Sequence, residues 1–190
     1  MMAKMGKFSS TDLKKLQREL NGIKPDKITL FCEDCAKELA ARLLAKVIKR
    51  TPVGDYSREK TVVAKRDSKN HKKGDRYAVR VNPSGKKGGT LRRGWTAETF
   101  EDAASGSGAG TPAQEYAKSL QIQHEGNIFR VEIVNPVEYS SYVEFGHRTR
   151  GGKGWVEGKF MLTLSEQELQ EIAPAVLEAR IAKLLKGAVQ

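Results

Sequence analysis

The sequence predicts an α+β fold: a mainly antiparallel sheet with a long N-terminal helix and a C-terminal helix packed on it, joined by long basic and glycine-rich loops. Three observations carry this. Apolar residues recur at spacings of three and four over roughly 28–50 and again from 165 to the end. Between these stretches, short segments alternate in polarity and are separated by polar turns. No internal repeat is present, and 190 residues suit one domain spanning 1–190.

Ser9, Ser10 and Thr11 precede Asp12, a pattern that starts helices, and Leu13, Leu16 and Leu20 share a face up to Asn21-Gly22. A short amphipathic helix is expected there. The second helix runs from about Ile28 to Arg50, with Phe31, Cys32, Cys35, Leu39, Leu43 and Val47 on its apolar stripe. Pro52 ends it, because proline disfavours helix in the residue before it.

Thr61–Ala64 and Tyr77–Val81 read as strands, with a charged turn region at Asp67–Gly74 and a Gly/Lys loop at Asn82–Gly89. Leu91–Trp95 reads as a strand or a tight turn. Residues 101–115 lack large apolar side chains and read as a flexible loop. Leu120–His124 and Ile128–Val134, separated by Glu125-Gly126-Asn127, form the clearest hairpin. Val137–Gly146 reads as one to two helical turns ending at the glycine. Residues 147–156 read as a mobile basic loop. Ser165-Glu166-Gln167-Glu168 has the spacing of a capping box opening the last helix, and Pro174 is expected to kink or divide that helix.

Hydrophobic residues make up 38% of the chain and charged residues 30%, so one modest core is expected. No run of 18 apolar residues exists and residues 1–20 hold no apolar stretch. The protein is therefore expected to have no membrane partner and to stay in the cytoplasm until it assembles. The net charge of +11 is uneven: residues 1–100 hold +14 and residues 101–190 hold −3. Residues 57–93 alone carry 13 Lys+Arg against 3 acids. Such a segment contacts phosphate or an acidic surface, or it is simply a solvated loop. The candidate contact residues are Lys65, Arg66, Lys72, Lys73, Arg76, Lys86, Lys87, Arg92 and Arg93.

Patterns for catalysis are lacking. Cys32 and Cys35 stand three apart on an apolar stripe, without the second ligand pair that a structural zinc needs. They read as small buried hydrophobes, with a metal or redox role as the lesser alternative. The glycine stretches Gly85–Gly89 and Gly151–Gly154 lack phosphate-loop spacing. No nucleophile elbow or paired His-Glu motif occurs. No enzyme activity, cofactor or metal is expected.

Three segments are informative together: Lys49-Arg50-Thr51-Pro52-Val53-Gly54, Gly89-Thr90-Leu91-Arg92-Arg93-Gly94-Trp95, and Asn135-Pro136 followed by Val137–His147, which includes Tyr139-Ser140-Ser141-Tyr142-Val143-Glu144-Phe145-Gly146. In order, they resemble a family of phage tail components encoded between the head genes and the tail-tube genes of long-tailed phages. Its members have a helix ending in Thr-Pro-Val, a Gly-x-Leu-Arg-x-Ser/Trp element and a Tyr-Ala-x-Tyr-Val-Glu-Phe-Gly box. A hydrophobic pair and a C-terminal helix follow, here Phe160-Met161-Leu162 and the helix from Ser165. The resemblance covers about residues 9–186.

The resemblance implies a non-enzymatic virion protein of the phage neck or tail terminus, acting in tail completion or head–tail joining within a homo-oligomeric ring. Its partners would be further copies of itself and adjacent neck or tail proteins, with DNA in passage. One departure stands out: Asp55 to Leu91 separate two elements that in the family are only a few residues apart. Most of the localised charge, 11 Lys+Arg against 4 acids, lies in that insertion. The aromatics of the box either fill the core or anchor an interface. Tyr139, Tyr142, Glu144 and Phe145, with Arg148 and Arg150 just beyond, are the interface candidates. A nonspecific nucleic-acid-binding protein using residues 57–93 is the alternative function.

Overall fold

In the computed structural model, which describes residues 24–106 and 110–188 together with Gly22, helix α1 runs from Pro25 to Arg50. The short helix expected near residues 12–20 lies outside the described residues. Pro25 occupies the first helical position, where its missing N–H costs nothing. Asp26 near the start and Lys49 and Arg50 in the last turn complement the helix dipole. Thr51 leaves the helix in an extended conformation, as Pro52 requires, and its N–H still donates to the Val47 carbonyl.

The remaining elements follow in order. Strands β1 (Arg58–Val63) and β2 (Arg76–Val81) pair antiparallel, with Arg58 opposite Val81 and Val63 opposite Arg76. Short helices α2 (Thr90–Gly94), α3 (Phe100–Ser105) and α4 (Ala113–Ser119) come next. The hairpin β3 (Ile122–Glu125) and β4 (Ile128–Val131) turns at Gly126-Asn127, where it was expected. Helix α5 (Ser140–Phe145) ends at Gly146, and strands β5 (Gly146–Arg148) and β6 (Trp155–Glu157) pair. Helix α6 (Met161–Ala188) closes the chain's described part.

The class is α+β with antiparallel strands, as the sequence indicates. The strands form three separate two-stranded ribbons, so the helices supply the framework. Helix α1 is its spine: Ala40, Leu44 and Val47 pack with Leu91, Trp95, Ala103, Ala117, Val137 and Met161. Leu44 and Val47 are fully buried. Helices α4 and α6 lie against α1, and β4 touches it as well.

Several segments differ from expectation, each for a physical reason. Leu91–Trp95 is helical, neither strand nor tight turn, because that places both Leu91 and Trp95 in the core. Residues 101–115 do not form a continuous loop. Thr99 caps α3 by accepting from the Asp102 amide, and Ala103 and Ala117 are small enough to seat α3 and α4 directly on α1 and its neighbours. Residues 146–157 form a hairpin whose turn is tied by Thr149: its amide donates to the Gly154 carbonyl at 2.9 Å, and its hydroxyl accepts from the Gly154 amide at 3.0 Å. Helix α6 starts four residues before Ser165. That serine is fully buried and bonds back to the Met161 carbonyl at 2.6 Å, so it caps nothing. The helix runs through the exposed Pro174 undivided.

Candidate functional site

The three informative sequence segments meet in space. Thr51, at the end of α1, is fully buried and ties the first two together. Its hydroxyl donates to the Val47 carbonyl at 2.6 Å and accepts from the Trp95 indole at 2.8 Å. Its carbonyl accepts two bonds from the Arg92 guanidinium, at 3.1 and 2.6 Å. The third segment joins through Asn135, whose amide donates to the Leu91 carbonyl at 2.9 Å while its oxygen accepts from Val137 at 3.1 Å. Gly94 is required there: a Cβ would lie 2.3 Å from the Asn135 oxygen.

Glu144 links the box to helix α6. It is only 6% exposed, and its carboxylate accepts from the amides of Leu162 and Thr163, each at 2.9 Å, and from the Thr163 hydroxyl at 2.8 Å. A helix N-terminus leaves unpaired amides that a carboxylate satisfies well. Backbone bonds from Lys159 to the Val143 carbonyl and from Phe160 to the Glu144 carbonyl lace the same strip. Gly146, at φ +85°, sits where a Cβ would be 2.4 Å from the Val156 carbonyl, so the box must end in glycine for β6 to pair.

Glu144 therefore leaves the set of interface candidates, because its carboxylate is spent on α6. Val143 also faces inward and packs on the core. The box splits: Tyr142 and Phe145 point outward at 59% and 61% exposure, and Tyr139 is 43% exposed. Partial burial pushes the Tyr139 hydroxyl above its ordinary pKa, with Tyr56 adding to the effect. The Tyr142 ring meets the His147 ring edge-on at 5.8 Å. Arg148 and Arg150 are exposed on the β5–β6 hairpin. The sequence candidates missed Trp155 on β6 and Phe160 at the start of α6, both largely exposed. Phe160 opens the hydrophobic Phe160-Met161-Leu162 run and Trp155 is followed by Val156, but nothing local shows that Phe160 and Trp155 face outward.

The basic candidates also divide. Lys65, Arg66, Lys72, Lys73, Arg76, Lys86 and Lys87 are exposed. Arg92 and Arg93 are not free to meet an outside partner. Arg92 is bound to Thr51, and Arg93, 6% exposed, donates to the Ala103 carbonyl at 2.8 Å and the Gly88 carbonyl at 3.3 Å. Guanidinium groups can staple loops through several carbonyls at once, which composition alone does not reveal.

Of the cysteines, Cys35 is buried and Cys32 half-buried, and burial pushes the Cys35 thiol above its ordinary pKa. Among the described residues no group of three or more His, Cys, Asp or Glu could hold a metal ion.

Residues 14–146 match the model of a family described as "Bacteriophage HK97-gp10, putative tail-component". The chain belongs to this HK97-gp10-like family. The match spans Thr51, Asn135 and Glu144, where the three segments meet. The chain is thus a phage tail component, a structural protein that works among other tail proteins. No curated protein and no solved structure matches it. No helix among the described residues is long and apolar enough to cross a membrane.

Proposed function

We propose that this tail component acts at the neck or tail terminus, in tail completion or head–tail joining, as one subunit of a homo-oligomeric ring with no bond chemistry of its own. It works as a single domain bearing the 55–91 insertion as an appendage. The observation that supports this reading is the exposed aromatic ledge carried by α5, the β5–β6 hairpin and the start of α6. Tyr142, Phe145, Trp155 and Phe160 are between 43% and 61% exposed on elements held together by buried hydrogen bonds. Large aromatics left outside on a rigid support are the usual anchors of protein interfaces. Arg148 and Arg150 flank them and supply polar contacts at the rim.

A cyclic ring needs two different surfaces that meet head to tail. The ledge is the proposed donor surface. The test is the mass of the purified protein in solution and its ability to restore infectious particles to a phage lacking the gene. Replacing Tyr142, Phe145 and Trp155 together by Ser is expected to abolish both higher-order assembly and rescue. Circular dichroism should stay unchanged, because none of the three is buried. A folded triple variant that assembles and rescues normally would remove the ledge from the interface.

A further inference from the structure

The insertion leaves and rejoins the body at one point. Gly88 passes so close to Gly54 that a Cβ on it would lie 2.1 Å from the Gly54 carbonyl oxygen. Between these glycines, β1 and β2 pair with each other and make at most marginal contact with any other helix or strand. The ribbon is therefore an arm on a narrow neck. Two strands of six residues at about 3.3 Å per residue give it a length of about 20 Å.

Charge on this arm is arranged to face outward. The acids of its far turn are turned toward backbone: Asp67 accepts from the Lys73 amide and Asp75 from the Lys72 amide, both at 2.7 Å. Asp55, at the base, holds Ser57 and pairs with Arg80 at 2.7 Å. Lys65, Arg66, Lys69, Lys72, Lys73 and Arg76 remain exposed, and among the described residues none of them is in an ion pair. The acids thus shape the turn without neutralising it.

The chemistry of the arm selects among partners. Protein interfaces are poor in lysine and depend on buried aromatic anchors. The arm is rich in lysine, and Tyr77 is already covered by the His71 ring, stacked at 3.9 Å. Single-stranded nucleic acid is held by successive stacking aromatics; the one exposed aromatic between the two glycines, Tyr56, stands at the arm's base beside Gly54, and β1, β2 and the turn between them offer none. Duplex DNA needs only cations at intervals along its phosphates, and its major groove admits a two-stranded ribbon.

We propose that the β1–β2 ribbon is a phosphate-binding arm that grips duplex DNA without reading its sequence. This goes beyond assembly and does not depend on the ring: DNA binding and ring formation are separately measurable. With about five phosphates engaged, log K should fall with log salt at a slope of about −4 to −5. The experiment is fluorescence anisotropy of the full chain on labelled duplexes of about 30 base pairs and unrelated sequences, from about 50 to 200 mM salt.

Binding at low salt, equal across sequences and lost by about two to three orders of magnitude over that range, is expected. Replacing Lys72, Lys73 and Arg76 by Ser should weaken it at least ~10-fold and lower the slope by about three. The charge-matched replacement of Lys49, Lys183 and Lys186, exposed elsewhere on the helices, should leave it nearly unchanged. No binding at about 50 mM salt, or equal loss in both triple variants, overturns the proposal. So does unchanged DNA binding in the arm variant; if that variant also failed to assemble, the arm would be a protein-docking device.

Discussion

Glu144 lies between two outward aromatics, yet its own side chain is turned under them. Neighbouring positions on a six-residue helix point to different sides, so the box serves two purposes at once: Val143 and Glu144 hold the fold, while Tyr142 and Phe145 present a surface. Replacing Glu144 by Ala would leave the half-buried amides of Leu162 and Thr163 without their acceptor. The cost should be about 1–2 kcal/mol, as for other lost helix caps and unpaired buried donors. Glu144→Gln keeps one acceptor and should lose less. A lowered thermal midpoint in the order wild type, Gln, Ala checks this, and an unchanged midpoint for Ala would show that α6 starts without the cap. Arg93 carries the opposite lesson. It counts toward the basic segment by composition, but its three-dimensional neighbours are carbonyls ten or fewer residues away.

At the scale of elements, α1 and α6 are joined by two carboxylates as well as by the core. Glu38 on α1 holds Arg42 and reaches Arg180 on α6. Glu168 on α6 holds Lys46 at 2.8 Å and Arg50 at 2.5 Å on α1. The Arg42 and Arg180 guanidinium groups hold the Glu38 carboxyl below its ordinary pKa, and Lys46 and Arg50 do the same for Glu168. A carboxyl whose folded pKa is depressed adds stability that is present above its unfolded value of about 4.3 and lost as pH falls through the folded value. Resistance to urea should therefore hold steady from neutral pH down to about 5 and fall below about 4. A Glu38→Gln, Glu168→Gln variant should show a shallower acid decline, with a lower starting stability. An identical decline in that variant would place the acid sensitivity elsewhere.

Elements with a strong period of their own were legible in the sequence. Helix α1, the β1–β2 and β3–β4 hairpins and the turn ending at Gly146 stand where alternation, helical spacing and proline or glycine stops put them. What was illegible depends on packing across long separations. Residues 101–115 look like linker because nothing local shows that Ala103 fits against larger partners. The start of α6 was misplaced because the cap comes from Glu144, about twenty residues upstream, and Ser165 mimics a capping residue while lying inside the helix. The β5–β6 hairpin looks like a mobile loop in the sequence because its strands are three residues each, too short to show alternation.

At the scale of the whole molecule, the described chain presents a helical body and two projecting features. The aromatic ledge begins in α5 and continues along the β5–β6 hairpin, and the body accommodates the basic ribbon because its ends meet at Gly54 and Gly88. Tyr142 and Phe145 of the ledge lie inside the family match, and Trp155 and Phe160 lie beyond it. The ribbon between Gly54 and Gly88 carries 11 Lys+Arg against 4 acids, half of the +14 held by residues 1–100. Such a division suits a protein that joins its neighbours through one surface and meets a different partner with the other.

We propose that this tail component completes the junction between head and tail. Electron microscopy of lysates from a phage or prophage lacking the gene tests it most directly. Full heads separated from tails, or tails of uncontrolled length, are the predicted result, and which of the two is seen distinguishes joining from termination. Normal, infectious particles would contradict the account.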